Sequence, residues 1–174
     1  MSYKYLIVLA FLMPNLGLKP SILRSLFVLL FFLAIGAPAW AQQKNPMYDS
    51  VLAAKLGADD YGMKKYVLVI LQTGQNEEKN PQRRDSLFAG HMANINLLVK
   101  AGKMVVAGPL QKNEQKYRGI FIMSVDNQAE ALKLLQADPT IREGIFDVIL
   151  LDWYGSAALP LYLDESERIW KSKP

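Results

Sequence analysis

Four short segments of this chain are apolar at consecutive positions: Val67-Leu68-Val69-Ile70-Leu71, Met104-Val105-Val106, Ile120-Phe121-Ile122-Met123 and Val148-Ile149-Leu150-Leu151. Runs of this length, rich in β-branched residues and bounded by turn residues, predict strands that are apolar on both faces. The first strand is expected over Lys65 to Gln72, closed by Thr73-Gly74, and the second over Met104 to Ala107, ending at Gly108-Pro109. The third is expected over Arg118 to Val125 and the fourth over Phe146 to Trp153. Between the first two, Leu87, Phe88, His91, Ile95, Leu98 and Val99 recur at helical spacing, which predicts a helix over Asp85 to Ala101 with Gly102 as its stop. Between the last two, Asp126 or Asn127 caps a second helix through Ala137, with Ala131, Leu134 and Leu135 on its apolar side. Asp138-Pro139 then restarts a helical turn that runs to Gly144.

The order β-α-β-β-α-β predicts an α+β, ferredoxin-like domain: an antiparallel four-stranded sheet with two helices on one face. Two helices cover only one side of such a sheet. Leaving the other side bare would expose several large apolar residues at ~1.5–3 kcal/mol each. A second copy of the sheet is the simplest cover, so a homodimer packed through the open face is expected.

The chain ahead of this unit has a different composition. Residues 1–41 contain no acid and only three basic residues, Lys4, Lys19 and Arg24. After Arg24, the apolar segment from Ser25 to Ile35 falls short of the ~20 residues needed to cross a ~30 Å hydrocarbon layer. Gly36 and Pro38 break it, and Ala39-Trp40-Ala41 places small residues where a signal peptidase needs them. Residues 1–41 therefore predict a secretory signal cleaved after Ala41, with initiation at Met13 or a dispensable first apolar run, Tyr5 to Met13. The mature protein is then periplasmic or secreted, and the membrane is a partner only through this segment before cleavage. A retained anchor is the alternative.

Residues 42–63 form a lead with a short helical pattern from Tyr48 to Leu56, stopped by Gly57, and the turn Asp59-Asp60-Tyr61-Gly62. The folded domain spans 64–154, and 155–174 form an extension. Its Asp164-Glu165-Ser166-Glu167 has the form of a capping box before a short helix carrying Ile169 and Trp170. This extension is expected to lie across its own domain or a dimer partner.

Residue counts exclude much chemistry. There is no cysteine, hence no disulfide, thiolate metal site or thiol nucleophile, and there is one histidine, His91. One histidine without cysteine is too small a set for a closed zinc site, so no metal is expected. No glycine-rich loop opens a helix, so no nucleotide cofactor is expected, nor any other. The 20 basic residues against 16 acids suggest an anionic partner, but three of them belong to residues 1–41. Lys64-Lys65, Arg83-Arg84 and Lys171 with Lys173 are scattered pairs rather than a nucleic-acid stripe.

His91 falls on the apolar face of its helix. An inward histidine is either a hydrogen-bonded core residue or a catalyst, and the helix pattern leaves both open. An imidazole titrates at ~6.5, so a neutral one accepts a proton at neutral pH. No Gly-x-Ser-x-Gly or Ser-x-x-Lys supplies a nucleophile. Arg118, beside Gly119 at a strand start, is a candidate clamp for a substrate carboxylate, or else a solvated strand-end charge. Gly108-Pro109 allows backbone to approach a ligand, or is a plain turn. Ser124, Trp153 and Tyr154 are further candidates for lining a site, or for the core or a dimer seam.

The chain resembles the YciI-like (YCII-related) family of dimeric α/β-barrel proteins over about residues 64–154. The resemblance rests on the first-strand run, on His91, on Leu97-Leu98-Val99-Lys100-Ala101-Gly102-Lys103 and on Val106-Ala107-Gly108-Pro109-Leu110. Arg118-Gly119-Ile120-Phe121-Ile122-Met123, Ala137-Asp138-Pro139 and Gly144-Ile145-Phe146-Asp147 follow in the family's order. The resemblance implies a dimeric ferredoxin-like barrel within a superfamily that holds muconolactone isomerase-like enzymes and non-enzymatic small-molecule binders. It also implies a His–Asp catalytic pair, carried over to His91 and Asp138. Asp138 is equally a helix cap before Pro139, and the two roles are compatible. A His–Asp pair without a nucleophile suits proton transfer of the isomerase or lyase type on a small molecule. The alternative is a non-catalytic ligand-binding or assembly module of the same fold. The signal segment, the lead and the tail depart from the family pattern.

Overall fold

Each of the four apolar runs forms a strand in the computed structural model, which describes residues 45–171. In chain order the elements are α1 (Ser50–Leu56), β1 (Met63–Thr73), α2 (Pro81–Lys100), β2 (Met104–Pro109) and β3 (Tyr117–Met123). They continue with α3 (Gln128–Leu135), the single turn α4 (Pro139–Arg142), β4 (Phe146–Ser156), a 3-10 turn (Leu159–Tyr162) and α5 (Leu163–Ile169). The sheet is antiparallel throughout, in the order β2-β3-β1-β4. This is the ferredoxin-like βαββαβ arrangement. The expected signal segment, 1–41, lies outside the described residues. Among the described residues no helix is long and apolar enough to cross a membrane.

Alternation along the strands sorts their side chains into two faces. Val67, Val69 and Leu71 of β1 stand opposite Met123, Phe121 and Gly119 of β3, and opposite Asp152, Leu150 and Val148 of β4. Leu98 of α2 and Ala131 and Leu135 of α3 pack on this face and complete the core. On the other face Leu68, Ile70, Ile120, Ile122 and Ile149 are half-buried, and Leu151 is 45% exposed. Tyr66 is the exception there, fully covered, with the Trp153 ring 5.5 Å away and its hydroxyl donating to the Ser156 carbonyl. Gly155 makes room for that indole, because a Cβ there would lie 2.3 Å from the ring.

Several boundaries differ from the expected ones. Helix α2 begins at Pro81 rather than Asp85, with the Asn80 side chain accepting from the Arg83 amide at 3.1 Å. Proline at the first helical position loses nothing, since that amide has no intrahelical partner. Strand β2 continues through Gly108-Pro109, which is therefore not a turn. Proline is tolerated because β2 is an edge strand and needs no donor on its outer side. Strand β4 runs on to Ser156, paired with β1 along its whole length. Helix α5 starts at Leu163 with no side-chain cap, so the expected capping box does not form. Asp164 and Glu165 instead occupy its first turn, and Glu165 pairs with Arg168.

Candidate functional site

His91 is carried by α2 and is only 8% exposed. Asp138 is the N-cap of α4 and is fully buried, as is Thr140. One carboxylate oxygen of Asp138, Oδ1, accepts from the Thr140 amide at 2.9 Å and from the Thr140 hydroxyl at 2.7 Å. The other, Oδ2, lies 2.6 Å from His91 Nδ1. Asp138 is thus both cap and histidine partner. Burial alone raises its carboxyl, but the hydrogen bonds from His91 and Thr140 outweigh that and hold it below the usual carboxylate range. An ionised carboxylate only accepts, so Nδ1 carries a proton, and in the neutral form of the ring Nε2 holds the lone pair.

The contact between these elements depends on Gly90. A Cβ there would lie 2.5 Å from Pro139 Cγ, so only glycine lets α2 approach α4 this closely. Three phenylalanines surround the imidazole, with ring centroids at 6.2 Å for Phe88, 6.1 Å for Phe121 and 5.6 Å for Phe146. His91 Nε2 has no hydrogen-bond partner among the described residues, and the side chain as a whole is 10% exposed.

His91 borders an open cleft of about 1470 Å³. Arg118, Gly108 and Pro109 border the same cleft. Arg118 Nε donates to the Thr73 hydroxyl at 2.7 Å, and its guanidinium forms no ion pair among the described residues. Close backbone approach depends on Gly119 rather than Gly108: a Cβ at Gly119 would lie 2.9 Å from the Gly108 carbonyl, whereas one at Gly108 meets nothing. Ser124, Trp153 and Tyr154 do not border this cleft. Ser124 accepts from Lys64, Trp153 packs on Tyr66, and the Tyr154 hydroxyl donates to Asp59. Among the described residues no cluster of three metal-ligating side chains occurs.

Thr140 and Gly90 belong to the site although sequence patterns do not single them out. A glycine inside a helical pattern, beside the single histidine, is the available signal for Gly90. Thr140 carries none beyond its place after Asp138-Pro139.

Residues 65–154 match the YCII-related domain. No curated protein matches the chain. Among solved structures, 5-chloro-2-hydroxyhydroquinone dehydrochlorinase from Burkholderia phenoliruptrix, in complex with 2,5-dihydroxybenzoquinone, is 26% identical with a TM-score of 0.36. That match covers 50% of this chain and 92% of the other. An Arabidopsis thaliana protein is 16% identical with a TM-score of 0.33, covering 51% and 92%.

Proposed function

The chain belongs to the YCII-related domain family, and on that premise we propose that His91 and Asp138 form an acid–base centre for proton transfer on a small molecule. The observation that carries this reading is the buried Nδ1–Oδ2 contact, which leaves Nε2 without a partner among the described residues, on a side chain that borders the cleft. Nε2 takes a proton from carbon next to a substrate carbonyl, and the electron pair of the broken C–H bond passes into an enolate. Asp138 stays ionised and stabilises the imidazolium. Return of the proton to another carbon gives isomerisation, and departure of a leaving group gives elimination. Arg118 holds an anionic substrate group, and the phenylalanines restrict water around the ring. A metabolite screen with the purified protein, with His91→Ala as control, tests this. Turnover that survives His91→Ala refutes it.

The same proposal places the protein outside the cytoplasm after cleavage behind Ala41, so that the exported chain begins at Gln42 by N-terminal sequencing. It also pairs two copies through the open sheet face, where Leu68, Ile70, Ile120, Ile122 and Leu151 are incompletely buried. Light scattering at micromolar concentration then gives a dimer mass, and a monomer refutes the pairing.

A further inference from the structure

The YCII-related match ends at residue 154, yet the wall of the cleft continues beyond it. Tyr162, Leu163, Asp164, Ser166 and Glu167, all from the extension, border the cleft together with His91. Beyond Ser156, where β4 ends, two hydrogen bonds among the described residues tie the extension to the domain. At its root the buried Ala157 donates its amide to the Gly62 carbonyl at 2.9 Å. Further on, the Tyr162 hydroxyl donates to the Val105 carbonyl. Val105 sits where the β2–β3 register shifts between Met104 and Val106, and such a bulge leaves a residue out of the ladder. Burial pushes the Tyr162 hydroxyl up, so it remains a donor at neutral pH. After Tyr162 nothing in α5 is buried, and Ile169 is 81% exposed. Segments with so few buried contacts open at low free-energy cost.

We propose that residues 157–169 are a strap that limits which molecules reach His91, with Tyr162 as its latch and Leu163 as the apolar surface it presents to ligand. The proposal rests on the reading of this cleft as the ligand site, and it makes Tyr162 a specificity-determining residue rather than a catalytic one. Asp164 and Glu167 on the strap disfavour ligands with several negative groups, leaving small, largely apolar molecules.

The single histidine permits a test that needs no substrate. Diethyl pyrocarbonate acylates neutral imidazole, and the ultraviolet absorbance of the acylated ring reports His91 alone. The readout is the limiting rate at high pH, where protonation of the ring no longer matters. Tyr162→Phe in the full chain removes only the latch bond and should raise that rate about fivefold, with a melting temperature lowered by no more than the loss of that one hydrogen bond. Tyr162→Ala, which also removes the ring, should raise it further. If Tyr162→Ala fails to fold, the isosteric Tyr162→Phe decides. An unchanged rate in Tyr162→Phe, or an equal rise in Trp153→Phe, a destabilising change outside the cleft, overturns the strap. Because the reagent reports access, a His91 shown not to be catalytic would refute the proposed function without touching this result.

Discussion

The substitution Asp138→Ala removes the acceptor of three buried donors at once: His91 Nδ1, the Thr140 amide and the Thr140 hydroxyl. Each orphaned group costs about 1–3 kcal/mol. Neighbouring side chains relax into part of the vacated space, so the lower part of the summed range is expected, about 3–5 kcal/mol. In Asp138→Asn the shape survives, and the amide oxygen can still accept from Thr140. The amide nitrogen then faces His91 Nδ1 and can only donate, which forces the imidazole proton onto Nε2. A charge-assisted bond is exchanged for a neutral one, at about 1–2 kcal/mol. Urea denaturation reads both losses, and nitrogen NMR of the single imidazole reads the tautomer. An Asp138→Ala loss below about 1 kcal/mol, or an unchanged tautomer in Asp138→Asn, refutes the reasoning.

Asp138 has a depressed carboxyl in the folded state, so the unfolded chain binds more protons in acid. Its contribution is present above the unfolded value of ~3.9 and disappears as pH falls through the folded one, a loss that acid denaturation should show and Asp138→Asn should lack. Gly90→Ala drives a methyl into Pro139, and should cost about 1–3 kcal/mol while shifting the His91 resonances; a silent spectrum would contradict the close approach. Thr140→Val removes the hydroxyl donor from Asp138 Oδ1, and should cost about 1–2 kcal/mol by thermal denaturation. The same change raises the folded-state carboxyl toward its ordinary value, so the acid-dependent loss of stability should be smaller and complete at higher pH.

The apolar runs and the helical spacing between them determine the topology, because period and turn chemistry are local properties. They also place His91 on the inward face of α2. The start of α2 is harder to read, because Pro81 marks loops and helix starts alike, and Asn80 shows its capping role only when its side chain meets the Arg83 amide. Gly108-Pro109 likewise reads as a turn until the sheet order makes β2 an edge. The pairing of His91 with Asp138 joins residues far apart in sequence, and composition and spacing do not supply it without the family resemblance. Only the tertiary structure decided that Gly90 admits Pro139, that Thr140 holds the second carboxylate oxygen, and that the extension returns to the cleft through Tyr162. Those contacts depend on where separate elements meet in space, which no local pattern encodes.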